Sequence, residues 1–230
     1  MNSLEASISE LKSLPLFQQL SPQQIMELCE GGRACYTRHR DMLFQAGEEA
    51  HFFGIVISGA YKLMKSSLSG EDVIVHFAIP GDIVAAFIMS QPHSKFPITA
   101  TAMGPSRFLK LPRENFMNLW KKNPELILQI QSSLACRMQQ LLDDKMLMKA
   151  PLSRRLSSLL LNLLDKSNHQ EQGLIPLQLT RKEIADTLGS SVESIIRIMS
   201  DWSKKGILET NDKQIKIIKV DQLIHELNAE

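Results

Sequence analysis

The chain has 230 residues, of which 43% are hydrophobic and 22% charged, and its formal net charge is +1. This composition excludes a disordered or fibrous protein, and the length leaves room for two modest domains. The near-neutral net charge neither supports nor excludes binding to nucleic acid, because a local cluster of basic residues is enough for such binding. The cysteines, Cys29, Cys35 and Cys136, are odd in number and lack C-x-x-C spacing, which argues against a disulfide framework, a structural zinc site and an iron-sulfur cluster.

The first part of the chain, up to Gly32, has the spacing of two helices. Apolar residues of the first recur at three-to-four spacing at Leu4, Ile8 and Leu11, and then at Phe17 and Leu20. Ser21 followed by Pro22 marks the start of the second, because serine caps a helix and proline fits its first position. The pair Gly31-Gly32 ends it.

Between Arg33 and Pro112 the pattern changes to short apolar runs separated by glycines. The runs are Asp41 to Phe44, Phe52 to Ile57, Ala60 to Met64, Val73 to Ile79, Ile83 to Ala86, Ile98 to Ala102 and Arg107 to Leu111. The glycines in the gaps, where tight turns or positive φ are needed, are Gly47, Gly59, Gly70, Gly81 and Gly104. This spacing predicts a β-sandwich or β-roll.

Helical spacing returns after Pro112, with a short helix from Arg113 to Trp120 and a long one from Pro124 to Met148. Its apolar stripe, which predicts a seam for a partner helix, contains Ile127, Leu134, Met138, Leu141 and Met148. The alternative is an amphipathic helix packed only on its own domain. Ala150-Pro151 then forms a joint, so we predict domains at residues 1–122 and 150–230, linked by a dimerisation helix at 123–149.

The most informative stretch runs from Thr180 to Trp202, after a helix from Leu152 to Leu164, a loop from Gln170 to Pro176 and a short strand from Leu177 to Leu179. Thr180 and Glu183 have the spacing of a capping box, and Gly189 permits a left-handed turn. Ser190 or Ser191 can cap a second helix, whose buried side would contain Val192, Ile195, Ile198, Met199 and Trp202. This pattern predicts a helix-turn-helix, followed by a two-stranded wing that turns at Asn211-Asp212.

Packing through that side would leave the N-terminal half of the second helix free for the major groove of DNA. Arginine can bond guanine there and glutamate can accept from the cytosine amino group. The predicted DNA-binding residues are Thr180, Arg181, Ser190, Ser191, Val192, Glu193, Ser194, Ile196 and Arg197. The alternative for Glu193 and Arg197 is a solvated ion pair within the helix.

The chain resembles the cyclic-AMP receptor and fumarate-nitrate regulator (CRP/FNR) family over most of its length. The resemblance rests on Leu179-Thr-Arg-x-Glu-Ile-Ala and Val-Glu-x-x-x-Arg197, and on Gln45-Ala-Gly-Glu48, Ile57-Ser-Gly-Ala60, the Gly70 turn and Pro80-Gly-Asp-Ile83. It implies an α+β fold with an N-terminal jelly-roll sensor domain of the cyclic-nucleotide-binding type, a long central dimerisation helix and a C-terminal winged helix-turn-helix.

For function, the resemblance implies a homodimeric transcription regulator that binds double-stranded DNA and RNA polymerase. Glu193 and Arg197 would read bases in a palindrome of the TTGA or TGA type. Val192 replaces an arginine of cyclic-AMP receptors, which favours the FNR-like branch. Ile196 replaces a serine frequent in that branch, which leaves the outer bases of the half-site open.

The resemblance does not extend to the residues that bind the effector in the cyclic-AMP receptors or the iron-sulfur cluster in FNR-type regulators. Ala85 and Ala86 stand where cyclic-nucleotide binders carry glycine and glutamate, and Lys95 and Thr99 stand in the phosphate region without an arginine. These differences argue against cyclic AMP, and the FNR-type cysteine cluster is absent. A haem would need an axial ligand such as His39, His51, His76 or His93, although lone histidines usually have other roles. We predict an unidentified small-molecule effector near Ala85, Ala86, Phe87, Lys95 and Thr99, and note that apolar residues there are more simply core.

The sequence therefore predicts a DNA-binding regulator. The alternative is a ligand-binding module whose winged helix contacts only proteins. No catalytic constellation, phosphate loop or metal-spaced cluster is seen, which argues against an enzyme and a metal centre. Without a signal-peptide pattern or an apolar run of about 20 residues, the expected location is cytoplasmic with no membrane partner.

Overall fold

A computed structural model describes residues 9–14, 17–18, 20–66, 72–165 and 172–228. The helices are α1 (Pro22–Leu28), α2 (Arg113–Asn118), α3 (Pro124–Leu147), α4 (Leu152–Asp165), α5 (Arg181–Leu188), α6 (Val192–Lys204) and α7 (Val220–Asn228). The strands are β1 (Arg33–Thr37), β2 (Met42–Phe44), β3 (Phe52–Ser58), β4 (Tyr61–Ser66), β5 (Asp72–Ala78), β6 (Ile83–Val84), β7 (Thr99–Ala102), β8 (Ser106–Pro112), β9 (Leu174–Gln178), β10 (Leu208–Asn211) and β11 (Gln214–Ile217). Residues Ala86–Ile88 and Trp120–Lys122 form 3-10 turns.

The chain divides into two compact units, Met1–Ser66 with Val75–Arg137 and Ser67–Ile74 with Met138–Glu230. Strands β1 to β8 form two four-stranded sheets, with the orders β1-β8-β3-β6 and β2-β7-β4-β5. Gly54 lies at the β3–β8 pairing, where an added Cβ would collide with the Leu109 carbonyl oxygen. The predicted β-roll is therefore observed, with a core between its sheets.

The predicted apolar runs correspond to β2 through β8, but the sequence pattern missed β1. Among the strands of the described residues, β1 lies at the edge of its sheet and pairs only with β8. Its side chains are mostly exposed or half-buried, because one edge and much of both faces contact solvent. A strand of this kind has no continuous apolar run to reveal it.

The amino-terminal helices match the sequence where they are described. Ser21 caps α1 in a complete capping box with Gln24, and Pro22 is its first residue. Residues 9–13 are helical, and Leu11 is buried. The predicted helical positions Leu4 and Ile8, and the Gly70 turn, lie outside the described residues.

In the second unit, β9, β11 and β10 form a three-stranded sheet in the order β10-β11-β9. The predicted loop from Gln170 to Pro176 was wrong for its last residues, because β9 already begins at Leu174. Pro176 is tolerated since β9 is an edge strand, where a missing N–H need not break a ladder. The helix α7 was not predicted.

The wing turn is one residue further along than predicted. Asn211 is the last residue of β10 and pairs with Gln214. The two turn residues are Asp212 and Lys213, with φ of 44° and 67°. Two consecutive positive φ values are what a two-residue hairpin turn requires, and aspartate adopts them at low cost.

Candidate nucleic-acid interface

The first helix of the helix-turn-helix begins at a reciprocal cap. Thr180 Oγ1 accepts from the Glu183 backbone N–H at 3.1 Å, and Glu183 Oε2 accepts from the Thr180 backbone N–H at 3.0 Å. The Thr180 hydroxyl also donates to Glu183 Oε2 at 2.8 Å. Because Glu183 is itself buried, this cap fixes the start of α5 against the rest of the unit.

The turn between the two helices follows from Gly189, which has φ 57° and ψ 50°. Arg155 of α4 donates to the carbonyl oxygen of Leu188 at 2.8 Å, so a cation neutralises the last carbonyl of α5. Ser191 then caps α6, its hydroxyl accepting from the Ser194 backbone N–H at 3.2 Å. Sequence reasoning missed Arg155, because its partner is a backbone atom 33 positions away.

The second helix, α6, has one buried and one exposed face. Ile195, Met199 and Trp202 are buried at i, i+4 and i+7. Glu193 and Arg197 are exposed and lie four residues apart, so their side chains share a face. None of the ion pairs found among the described residues joins these two side chains. The carboxylate and guanidinium are thus available to an external partner.

The remaining predicted contacts surround this face. Ile196 and Ser191 are exposed, whereas the residues Val192, Ser194, Ser190, Thr180 and Arg181 are half-buried. Arg181 donates to Thr210 Oγ1 at 3.1 Å, which connects α5 to the wing strand β10. Burial lowers the pKa of the Arg181 guanidinium, yet arginine keeps its charge at neutral pH.

The predicted seam of α3 falls into two parts. Ile127 and Leu134 are half-buried and pack against the core of the first unit. Met138, Leu141 and Met148 are exposed, as are Leu128, Leu142 and Met146. The early part of the stripe thus packs within the first unit. Three of the exposed apolar side chains, Leu128, Leu142 and Met146, were not part of the predicted stripe.

The predicted effector residues lie in two places. Ala86 and the 40% exposed Phe87 line a small cleft with Ile130 and Leu134 of α3. Lys95 is exposed on a bridge to Glu49, and Thr99 Oγ1 accepts from the Ala46 backbone N–H at 3.1 Å. Ala85 is buried with φ 67°, a left-handed conformation that favours glycine. The pocket remains a prediction.

Three of the four histidines considered as haem ligands lie beside polar groups of the first unit. His39 Nδ1 lies 2.7 Å from the Met103 carbonyl oxygen, and His51 Nε2 lies 3.2 Å from Glu49 Oε2. His76 lies beside Asp82, and His93 is exposed. In the described part of the chain no three His, Cys, Asp or Glu side chains cluster as metal ligands. No helix within the described ranges combines the length and apolar composition of a membrane span.

A helix-turn-helix with a wing, preceded by a β-roll and a long helix, defines a winged-helix protein with an additional β-roll domain. The sequence matches the Cyclic nucleotide-binding domain family over residues 36–123 and the Crp-like helix-turn-helix domain family over residues 154–226. The anaerobic regulatory protein of Pasteurella multocida (strain Pm70) is 30% identical over 191 residues, which cover 80% of this chain and 67% of that protein.

Two solved structures have a similar fold. FixK2 from Bradyrhizobium japonicum has a TM-score of 0.72 at 20% identity, with coverage of 86% of this chain and 98% of that one. The sensor domain of the regulator DNR from Pseudomonas aeruginosa has a TM-score of 0.52 at 26% identity, covering 62% and 95%. This chain belongs to the CRP/FNR family of DNA-binding transcription regulators.

Proposed function

We propose that the protein is a homodimer that binds a palindromic DNA site of the TTGA or TGA type through α6 and responds to an effector at its first unit. The observation that carries this proposal is the exposed face with Glu193 and Arg197, backed by the buried Ile195, Met199 and Trp202. Arginine can bond guanine O6 and N7, and glutamate can accept from the cytosine amino group. Together they can read a G·C-containing half-site.

The test of DNA recognition measures the affinity for a TTGA palindrome and a scrambled duplex across a salt series. Phosphate neutralisation releases counterions, so log affinity should fall linearly with log salt. Arg197→Ala should cost about 1 to 3 kcal/mol on the palindrome and relax the preference at one base pair. Lys121→Ala, which removes one exposed positive charge from the first unit, is the matched control.

Two outcomes decide between the proposals for the winged helix. If Arg197→Ala lowers the affinity for both duplexes equally, base reading by this residue is refuted. Absence of binding to any duplex at low salt refutes the regulator itself and favours a module whose winged helix contacts only proteins.

Self-association is supported by the exposed apolar side chains of α3, among them Met138 (66% exposed) and Leu142 (52%). Two half-sites about 34 Å apart must be met at once, so a dimer is needed to read a palindrome. We expect Met138→Glu with Leu142→Glu to give monomers that lose palindrome binding. Met26→Glu, which alters an exposed apolar residue of α1, is the control. Dimers of the double variant in sedimentation would refute this seam.

The effector site is proposed at the first unit, near the cleft that Ala86 and Phe87 share with α3. A molecule bound there would contact both the turn after β6 and the long helix. Native mass spectrometry and an absorption spectrum of freshly purified protein test this proposal, since they detect a retained small molecule or a haem. A retained ligand whose release is unaffected by Phe87→Ala would contradict this location.

A further inference from the structure

The loop that joins β1 to β2 carries three basic side chains in succession. Arg38, His39 and Arg40 are all exposed, and they follow directly after Thr37, the last residue of β1. Among the ion pairs found in the described part of the chain, none involves Arg38 or Arg40. Both guanidinium groups are therefore available to an acidic partner, and arginine keeps its charge in proteins.

Hydrogen bonds of the backbone hold this loop in one conformation. The Arg38 N–H donates to Asp41 Oδ2 at 2.8 Å, and the Asp41 N–H donates to the Arg38 carbonyl oxygen at 3.0 Å. The Arg40 N–H donates to the carbonyl oxygen of Ala102 in β7, and the Ala102 N–H donates to the Asp41 carbonyl oxygen, each at 2.9 Å. The exposed basic side chains thus stand on a base that is fixed to the sheet.

Arg40 has a backbone conformation that arginine seldom adopts. Its φ is 72°, in the left-handed region that favours glycine. A glycine would adopt this conformation without strain, so the arginine lowers the stability of the fold relative to glycine. Strained residues of this kind are concentrated at functional sites, and the strain of Arg40 points to a role of its side chain outside the fold.

The chemistry of the loop fits a phosphate backbone better than a protein surface. A guanidinium group binds phosphate oxygens through two parallel hydrogen bonds. Duplex DNA carries one negative charge per about 1.7 Å of its axis, whereas protein surfaces mix charges of both signs. Three basic residues in succession therefore match a uniform polyanion.

We propose that the loop Arg38-His39-Arg40 is a second DNA contact, which binds the phosphate backbone of the DNA that flanks the palindrome. This proposal rests on the proposed function, because it assigns to the first unit a share in DNA binding beyond that of α6. A contact with phosphates reads no bases, so it adds affinity for any flanking sequence. In a symmetric homodimer the two copies of the loop engage the flanks on both sides of the palindrome.

The test compares full-length protein on two duplexes, one limited to the palindrome and one with about two helical turns of flanking DNA added on each side. At low salt the parent should bind the long duplex about tenfold more tightly, because more phosphates are neutralised. Each neutralised phosphate steepens the fall of log affinity with log salt by about 0.9, so the two arginines of each protomer should steepen it by about 3 to 4 on the long duplex. Two unrelated flanking sequences should give the same gain.

The charge-removal variant combines Arg38→Gln with Arg40→Gly, so it removes both charges and also relieves the left-handed strain. Circular dichroism should show it folded, with an unchanged or higher unfolding temperature. It should bind the long duplex no better than the short one, and its affinity for the short duplex should change less than about twofold, because the second unit is untouched.

Two matched variants isolate the effect of the charges in this loop. Lys121→Gln with Lys122→Gln removes two exposed charges from another part of the first unit and should keep the gain from the flanks. Arg38→Lys with Arg40→Lys retains both charges and should keep the steeper salt dependence, although lysine lacks the fork geometry of arginine.

Failure of this proposal is distinguishable from failure of the proposed function. Absence of binding to either duplex refutes the regulator and with it the second contact. If the parent binds the palindrome but gains nothing from the flanks, or if the gain survives in the charge-removal variant, only the second contact is overturned. Equal losses of that variant on both duplexes overturn it as well. If the gain survives but transcription from the palindrome falls in that variant, the loop binds an acidic protein surface instead.

Discussion

Replacement of Thr180 by alanine tests how the helix-turn-helix is held at its start. The change removes the acceptor for the Glu183 backbone N–H and the hydroxyl that donates to Glu183 Oε2 at 2.8 Å. Loss of an N-cap costs about 1 kcal/mol, and a hydrogen bond to a charged group contributes about 1.5 to 3 kcal/mol. Because Glu183 is buried, water restores little of that bond. We expect the second unit to lose about 2 to 4 kcal/mol of unfolding free energy.

Thr180→Ser is the matched control, since it keeps the hydroxyl and loses one methyl group, worth under about 1 kcal/mol at this half-buried position. The chain has two tryptophans, Trp120 in the first unit and Trp202 in the second. Urea unfolding in a Trp120→Phe background therefore reports on the second unit through Trp202 fluorescence. Equal destabilisation by serine and alanine would refute the role of the hydroxyl.

Two further predictions concern ionisable groups of the first unit. The first uses a chain with Cys35→Ser and Cys136→Ser, in which Cys29 is the remaining cysteine. Cys29 should react with a thiol reagent only as fast as the protein unfolds, because burial raises its pKa to about 12. Rapid labelling of the native protein would contradict this prediction. The lowered pKa of Asp82 means that its stabilisation is present above the unfolded value of about 4 and is lost as pH falls through the lower folded value. The difference in unfolding free energy between the parent and Asp82→Asn, measured in urea at neutral and acid pH, should therefore shrink in acid; a constant difference would contradict the charge interaction.

The helix-turn-helix was predictable because its determinants are local. The capping box of Thr180 and Glu183, the left-handed Gly189 and the apolar spacing of α6 each involve residues within about two turns of one another, and the structure confirms all three. The β-roll was predictable at the level of its strands for the same reason, since glycines and short apolar runs mark where each strand begins and ends.

Contacts between residues that lie far apart in the chain could not be predicted from the sequence pattern. Pairing made β1 a strand, although the segment shows no strand pattern, and it extended β9 beyond the predicted start at Leu177 and across Pro176. The stripe of α3 indicated that the helix is amphipathic, but only packing against the first unit separated Ile127 and Leu134 from the exposed Met138. Periodicity fixes which residues share a face, whereas the surface that covers a face depends on the rest of the fold.

The sequence by itself therefore determined the order of the elements apart from β1 and α7, the capped turn between α5 and α6 and the residues that α6 presents on each face. Only the tertiary structure brought Arg155 to the end of α5, and Arg137 to the cleft that Ile83 and Ala86 line. The physical reason is range: capping and helical periodicity act over a few residues along the chain, while a charge finds its partner only after the chain has folded back on itself.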